Sequence, residues 1–437
     1  MHYYSIGSAL AASPLPDLPF EKAADGVPSL FLTDRDPQQG PAAWRVTDAR
    51  QLTAEAVDVS WLDPDRMGAA PELPPGISAA IQSGGLMAVN CRHPRWRDAI
   101  AFSSPKSGKK RVHLLAVGDV GGTLLTALKL LGGDCIEAIG ICDLNENTVA
   151  RWTDEMGQIA WPGDYDALPE VEPVAPEHLF ECDVFIFAAT KAIPPVGSGV
   201  RDVRMAQFDA NRPLVESFAR QARAAGFSGL FIVLSDPVDP LCRAVWLASN
   251  QGPDGQWDGL GLLPEQVQGF GLGVMNARAA YFAKRDPRFA SFLTEGRAFG
   301  PHGQGLVVAN SIEHYDDALS RELTELVTTA NLRIRDLGFK PYVAPAVSSG
   351  AMQLLLTLRG GWHCSSVCLG NVWFGVRNRF TAHGVEWETL SLPGALFGRL
   401  RETEALLKDI YLQAVSPTAV YRRFCPVRWW DFRIELE

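Results

Sequence analysis

Val112-His-Leu-Leu-Ala-Val117-Gly118-Asp-Val-Gly121-Gly122-Thr123 decides how this chain is read. A short apolar run is broken by Gly118 and passes into the amphipathic stretch Gly121 to Leu131, which spells a strand, a tight turn and a helix. Such a turn brings backbone N–H groups and the positive end of a helix to one point, the geometry that holds a pyrophosphate. A second apolar run, Cys135 to Cys142, ends in Asp143, at the offset where a carboxylate meets the hydroxyls of an adenosine ribose. That carboxylate repels a 2′-phosphate, so the pattern favours NAD over NADP. It marks Gly118, Val120, Gly121 and Asp143 as cofactor contacts. The plainer reading is a packing turn at the glycines and a helix cap at Asp143.

Downstream the texture keeps alternating. Asn145 to Met156 reads as a helix, Asp183 to Ala189 as a strand, Asp202 to Ala225 as a long helix and Leu230 to Leu234 as a strand, with another helix after Pro237. This is the pattern of a parallel α/β sheet. Further on, Asp316 to Leu337 and Ala395 to Leu412 have helical periodicity, whereas Ser365 to Gly375 and Val385 to Leu392 alternate like antiparallel strands. Residues 1–108, rich in Pro, Ala and Asp, read as a small extra domain or an extended wrap, and Ser104 to Lys110 as a linker. The predicted fold class is therefore α/β. A Rossmann-type parallel sheet domain at 109–252 is followed by an α+β substrate domain at 253–412, with the N-terminal extra domain at 1–108 and an aromatic, basic tail at 413–437.

The 437 residues are 47% hydrophobic, enough to bury a large core. A net charge of -10, with no basic run longer than Lys109-Lys110-Arg111, argues against nucleic acid as a partner. Met1 to Leu18 lacks the pattern of a secretory signal, and Leu114 to Leu131 is too short and too polar to span a bilayer. The expectation is a cytoplasmic protein without a membrane partner. The eight cysteines (Cys91, Cys135, Cys142, Cys182, Cys242, Cys364, Cys368 and Cys425) are scattered, as free buried thiols are. His363 beside Cys364 and Cys368 has the residue types of a metal site. The Val-containing flanks fit a half-buried strand better, so no metal is expected.

Farther along stand Thr190 to Arg204, a Pro/Gly-rich loop, then Asn211, the element Leu234-Ser-Asp-Pro-Val-Asp239, Arg278, and His302 inside Gly300-Pro-His-Gly-Gln-Gly305. Taken with the glycine turn and Asp143, this order resembles the lactate/malate dehydrogenase family over roughly Arg111 to Leu412. The resemblance implies an NAD-dependent oxidoreductase that interconverts a 2-hydroxy acid and a 2-oxo acid, and a homo-oligomer. It gives His302 the role of proton donor and acceptor, Arg278 that of carboxylate clamp and Arg204 that of polarising the reacting oxygen. Asn211 and Ser235 would hold the nicotinamide and its ribose.

The chemistry requires these residue types. Reduction of a ketone leaves an alkoxide that must be protonated, which suits a histidine, and a planar guanidinium binds a carboxylate in two places. Taken alone, His302 is also readable as a turn residue, Arg278 as a helix cap or salt bridge, and Lys191 as a solvated charge; Arg201 could stand in for Arg204.

The chain departs from the family at several points. Ala116 replaces the first glycine of the turn. Asp236 stands where the family has asparagine, and there a carboxylate close to the nicotinamide is electrostatically awkward. Met275 occupies the position of the aspartate that orients the catalytic histidine, so the imidazolium is expected to lose a stabilising neighbour. The substrate loop is longer, with Ser198 near the specificity position, and Ser349 is a candidate substrate contact. Met275 and Asp236 leave open an NAD-binding sensor or assembly protein that has lost dehydrogenase activity.

Overall fold

A computed structural model describes residues 1–103, 108–191 and 203–414, with side chains in the last segment described from 206 to 410. The N-terminal residues supply β1 (His2–Ile6), β2 (Ala9–Ser13), β3 (Glu21–Lys22), β4 (Leu30–Thr33), β5 (Ala43–Arg45) and β6 (Met87–Asn90), with helices α1 (Pro75–Gln82) and α2 (Trp96–Ser103). Then come β7 (Lys110–Leu115), α3 (Asp119–Leu131), β8 (Ile136–Cys142), α4 (Glu146–Gly157), β9 (Glu170–Pro173) and β10 (Val184–Phe187). They are followed by α5 (Val203–Ala224), β11 (Leu230–Val233), α6 (Val238–Ser249) and β12 (Val267–Gly269).

Strands β7 to β12 lie side by side in the order β9-β8-β7-β10-β11-β12, and every pair is parallel. Counted along the chain this is third, second, first, fourth, fifth, sixth, the doubly wound order that binds dinucleotides. The direction of winding reverses between β7 and β10, and a crevice opens there at the carboxyl ends of the strands. The sixth strand follows residue 252, so the parallel sheet extends past the boundary expected from the sequence.

Both faces of this sheet are covered, which is why β10 and β11 are apolar without a break. Successive strand side chains point to opposite faces. Phe185 and Phe187 of β10 and Phe231 of β11 pack with Phe218 of α5 and Val245 of α6. Val184, Ile186 and Ile232 face the other way, against Leu124 and Leu128 of α3.

The remaining elements are α7 (Leu272–Ala283), α8 (Phe292–Glu295), the ribbon β13 (Arg297–Phe299) and β14 (Val307–Ala309), α9 (Asp317–Asp336) and α10 (Met352–Leu358). The chain then forms β15 (His363–Leu369), β16 (Val372–Thr381), β17 (Gly384–Trp387) and α11 (Gly394–Ala414). β15, β16 and β17 are antiparallel and joined to β12 through β15; the run Ser365 to Gly375, expected as one strand, turns between β15 and β16. His363, Cys364 and Cys368 are residues of β15, where burial pushes the His363 imidazole down to about 4 and the Cys364 thiol up to about 11. The seven described cysteines are all free.

The N-terminal region continues the same sheet, because β5 pairs in parallel with β17. Its core is shared with the body: Trp44 and Trp61 pack with Phe374, Trp387 and Leu400. Trp61 stands edge-on to both Trp44 and Trp387, at centroid distances of 5.3 and 5.8 Å, and each such pair adds about 1 kcal/mol beyond its buried area. At the same seam the carboxylate of Glu265 accepts the N–H groups of Ala42 and Ala43, and its complete burial pushes it up to about 7. Among the described residues no helix is long and apolar enough to cross a membrane.

Candidate active site

At the crevice, β7 is followed by Ala116, whose φ of +72° lies in the left-handed region that a glycine adopts without cost. Ala116 therefore keeps the backbone path of the missing glycine, with some strain. Gly121 cannot be replaced as easily, since a Cβ there would lie 2.0 Å from the Ala116 carbonyl oxygen. Gly118 caps α3 and has no side-chain hydrogen bond to the helix, and a Cβ placed on it would meet nothing within 4 Å. The first turn of α3 thus presents backbone N–H groups to open space, as a pyrophosphate site requires.

Asp143, at the end of β8, accepts from the N–H of Val117 at 2.9 Å and from that of Asn145 at 3.0 Å. These bonds hold its carboxylate beside the glycine turn and leave lone pairs for further donors. Asp119 adds a negative charge at the start of α3, and the Lys340 ammonium lies 3.0 Å from it. Gly118, Val120, Gly121 and Asp143 all line one cleft of about 1900 Å³. The turn, the open helix end and the placed carboxylate fit a dinucleotide.

Arg278 and His302 line the same cleft. Arg278 projects from α7, where its Nη1 donates to the Val327 carbonyl at 3.3 Å and lies 3.8 Å from the Met275 sulfur. Burial lowers its pKa from the ordinary value, and the nearby Asp236 carboxylate acts in the opposite sense. His302 sits in the loop between β13 and β14. Gly300, Gly303 and Gly305 take φ values of +80°, +142° and +86°, so the glycines flanking the histidine are a backbone requirement.

Three contacts fix His302. Its Nδ1 is 3.1 Å from Oδ1 of Asp236, its backbone N–H donates to Asp239 at 3.3 Å, and its Cβ packs against Gly271, where an added Cβ would come within 2.6 Å. Its Nε2 is buried without a hydrogen-bond partner among the described residues. The expected loss of a carboxylate neighbour is therefore corrected: Met275 supplies none, but Asp236 does. Asp239, fully buried and bonded to the Ser366 hydroxyl, ties the histidine loop to α6 and β15; burial holds its carboxyl above the usual range.

Asn211 and Ser235 occupy a lower level than expected, and neither lines the cleft. Asn211 accepts from the Lys191 N–H at 2.8 Å and donates to the Asp236 carbonyl at 2.8 Å, while the Ser235 hydroxyl donates to the Ala189 carbonyl. They brace the loops that follow β10 and β11. Ser349 does line the cleft, but its hydroxyl is engaged at the start of α7, accepting from Val274 and donating to Gly271. Arg204 lies in the first turn of α5, and its side chain, like Ser198 and Arg201, falls outside the described residues. Sequence reasoning missed Asp239 and Gly271. Asp239 closes the Ser-Asp-Pro-Val-Asp element, which was its available signal, whereas Gly271 has none.

The fold and cleft together define a doubly wound α/β protein with a cleft at the switch point of its parallel sheet. No family model matches the chain. L-lactate dehydrogenase 2 of Peribacillus psychrosaccharolyticus is 26% identical over 202 residues, covering 44% of this chain and 54% of that protein. The chain thus spans about half the length of the curated relative it matches. Among solved structures, the ligand-bound minor L-lactate dehydrogenase of Enterococcus mundtii superposes with a TM-score of 0.57 at 19% identity, covering 71% of this chain and 99% of its own. Malate dehydrogenase of Archaeoglobus fulgidus, in complex with NADH, gives 0.56 at 16% identity, covering 69% of this chain and 99% of its own. These neighbours are lactate and malate dehydrogenases, and at 16–19% identity the likeness to the solved structures is one of fold.

Proposed function

We propose that the chain is an NAD-dependent oxidoreductase interconverting a 2-hydroxy acid and a 2-oxo acid. The observation that carries this reading is the His302 imidazole, anchored through Nδ1 and without a partner at Nε2 among the described residues, in one cleft with Arg278 and the glycine turn. Gly118, Val120 and Gly121 would take the pyrophosphate and Asp143 the adenosine ribose. The bound nicotinamide supplies the hydride in reduction and accepts it in oxidation.

In the reducing direction Arg278 binds the substrate carboxylate, in the bidentate manner that fixes its orientation. Arg204 is proposed to polarise the ketone oxygen. The C2 carbon gains a C–H bond, the π electrons of the carbonyl move to oxygen, and that oxygen takes the proton from Nε2 of His302. The products are the 2-hydroxy acid, the oxidised cofactor and a neutral histidine. In oxidation His302 recovers the proton.

A binding protein without turnover drew its support from Met275 and Asp236. With Asp236 paired to His302, catalysis is the better supported reading. The proposal extends to the division of labour drawn above, in which 109–252 binds the cofactor and 253–412 the substrate, and by resemblance to a cytoplasmic homo-oligomer. It is tested by following absorbance of NADH or NADPH with a panel of 2-oxo acids, from pyruvate and oxaloacetate to bulkier ones. Turnover with NADH is expected. Binding of NADH without reduction of any acid overturns the reading.

A further inference from the structure

We propose that Asp236 is the positioning residue of the proton-transfer step, having taken over from the position of Met275 the task of orienting the His302 imidazole. This inference rests on the dehydrogenase reading. In the family pattern the histidine's carboxylate comes from the helix that carries the arginine, and an asparagine occupies the loop before Pro-Val. Here the two polar positions have changed character together: the helix position is the thioether of Met275 and the loop position is the carboxylate of Asp236.

The packing explains how one change accommodates the other. Met275 is buried and packs against the Arg278 guanidinium, a surrounding that suits a sulfur. Gly271, one helical turn before Met275, is the residue on which the His302 Cβ rests. The histidine therefore lies between the start of α7 and the loop after β11, within reach of a carboxylate from either side. Among the described residues the loop side supplies one, at 3.1 Å from Nδ1. Asn211 braces that loop by donating to the Asp236 carbonyl, and Asp239, three residues on, holds the His302 backbone.

An Nδ1–H donating to Asp236 fixes the tautomer in which Nε2 carries the exchangeable proton only in the charged ring. That is the atom without a partner among the described residues. The Asp236 side chain is 52% exposed, against 17% for His302, so the orienting charge faces the cleft and is progressively desolvated as the cleft fills.

The test compares wild type, Asp236→Asn and the double variant Asp236→Asn/Met275→Asp, which restores the family arrangement. Nitrogen-15 NMR of the His302 ring in the cofactor-free protein, assigned with His302→Asn, reads the tautomer. The expected result is a dominant Nδ1–H form in wild type, its loss in Asp236→Asn, and its return in the double variant. Turnover is expected to fall by about 100-fold in Asp236→Asn with an unchanged Kd for NADH, and to recover at least about tenfold in the double variant. An unshifted tautomer in Asp236→Asn overturns the inference whether or not the protein turns over. A shifted tautomer with full turnover in Asp236→Asn also overturns it, because the orientation would then not matter to the reaction. If no 2-oxo acid is reduced by wild type, the dehydrogenase reading fails. The ring spectra still decide the His302–Asp236 pairing.

Discussion

The glycine turn between β7 and α3 and the histidine corner between β11, α7 and the β13–β14 loop solve two different kinds of problem. At the turn the groups proposed to bind the cofactor are backbone N–H groups, so the chain must follow one path. Even Ala116, which lacks a glycine's freedom, is bent to φ +72° to follow it. At the corner the working groups are side chains that meet in space, and a carboxylate arriving from either neighbouring element can serve the imidazole. Backbone-built sites constrain residue type position by position. Side-chain constellations constrain only the final geometry, so the carboxylate proposed to orient His302 can stand at 236 rather than at 275.

The contrast can be broken most decisively at the corner. His302→Asn is expected to lower kcat by about 1000-fold while leaving the Kd for NADH unchanged, measured by steady-state kinetics and nicotinamide fluorescence. Equal activity would remove His302 from the reaction. Next in size, Arg278→Lys keeps the charge but loses the planar fork, and kcat/KM for the acid is expected to fall by about 100-fold, mostly through KM. A loss confined to NADH binding would instead assign Arg278 to the cofactor.

Gly271→Ala sharpens the comparison, because it adds a Cβ 2.6 Å from the His302 Cβ without touching the glycine turn. Displacing the ring by part of an ångström is expected to cost on the order of 10- to 100-fold in kcat, with cofactor affinity intact. The smallest effect belongs to the turn. Asp143→Asn weakens one charge-assisted bond to ribose and lifts the repulsion of a 2′-phosphate, so the preference for NADH over NADPH should drop by about tenfold. An unchanged preference would show that another group reads the ribose.

Much of this architecture was legible in the sequence. The strand and helix runs from Val112 to Leu234 are present within a few residues, because a sheet buried on both faces imposes unbroken apolar strands. The N-terminal region was less legible. Its strands pair with one another and join the main sheet through β5, whose Trp44 to Val385 register leaves no local trace. At the site, Gly118, Gly121, Asp143, Arg278 and His302 fall together as expected. Asn211 and Ser235 could be placed near the cleft by their order in the chain, but not at their depth, which depends on how two loops fold over them. Asp236 read as an obstacle for the same reason. Its partner is 66 residues away, and only the folded chain brings the two together.

The most direct measurement is transfer of deuterium from NADH labelled at the reactive C4 position to a 2-oxo acid, with the product read by mass spectrometry and NMR. The account predicts deuterium on C2 of a 2-hydroxy acid for the wild type and almost none for His302→Asn at equal cofactor occupancy. Bound, labelled NADH that delivers deuterium to no acid, or delivers it equally well without His302, would contradict it.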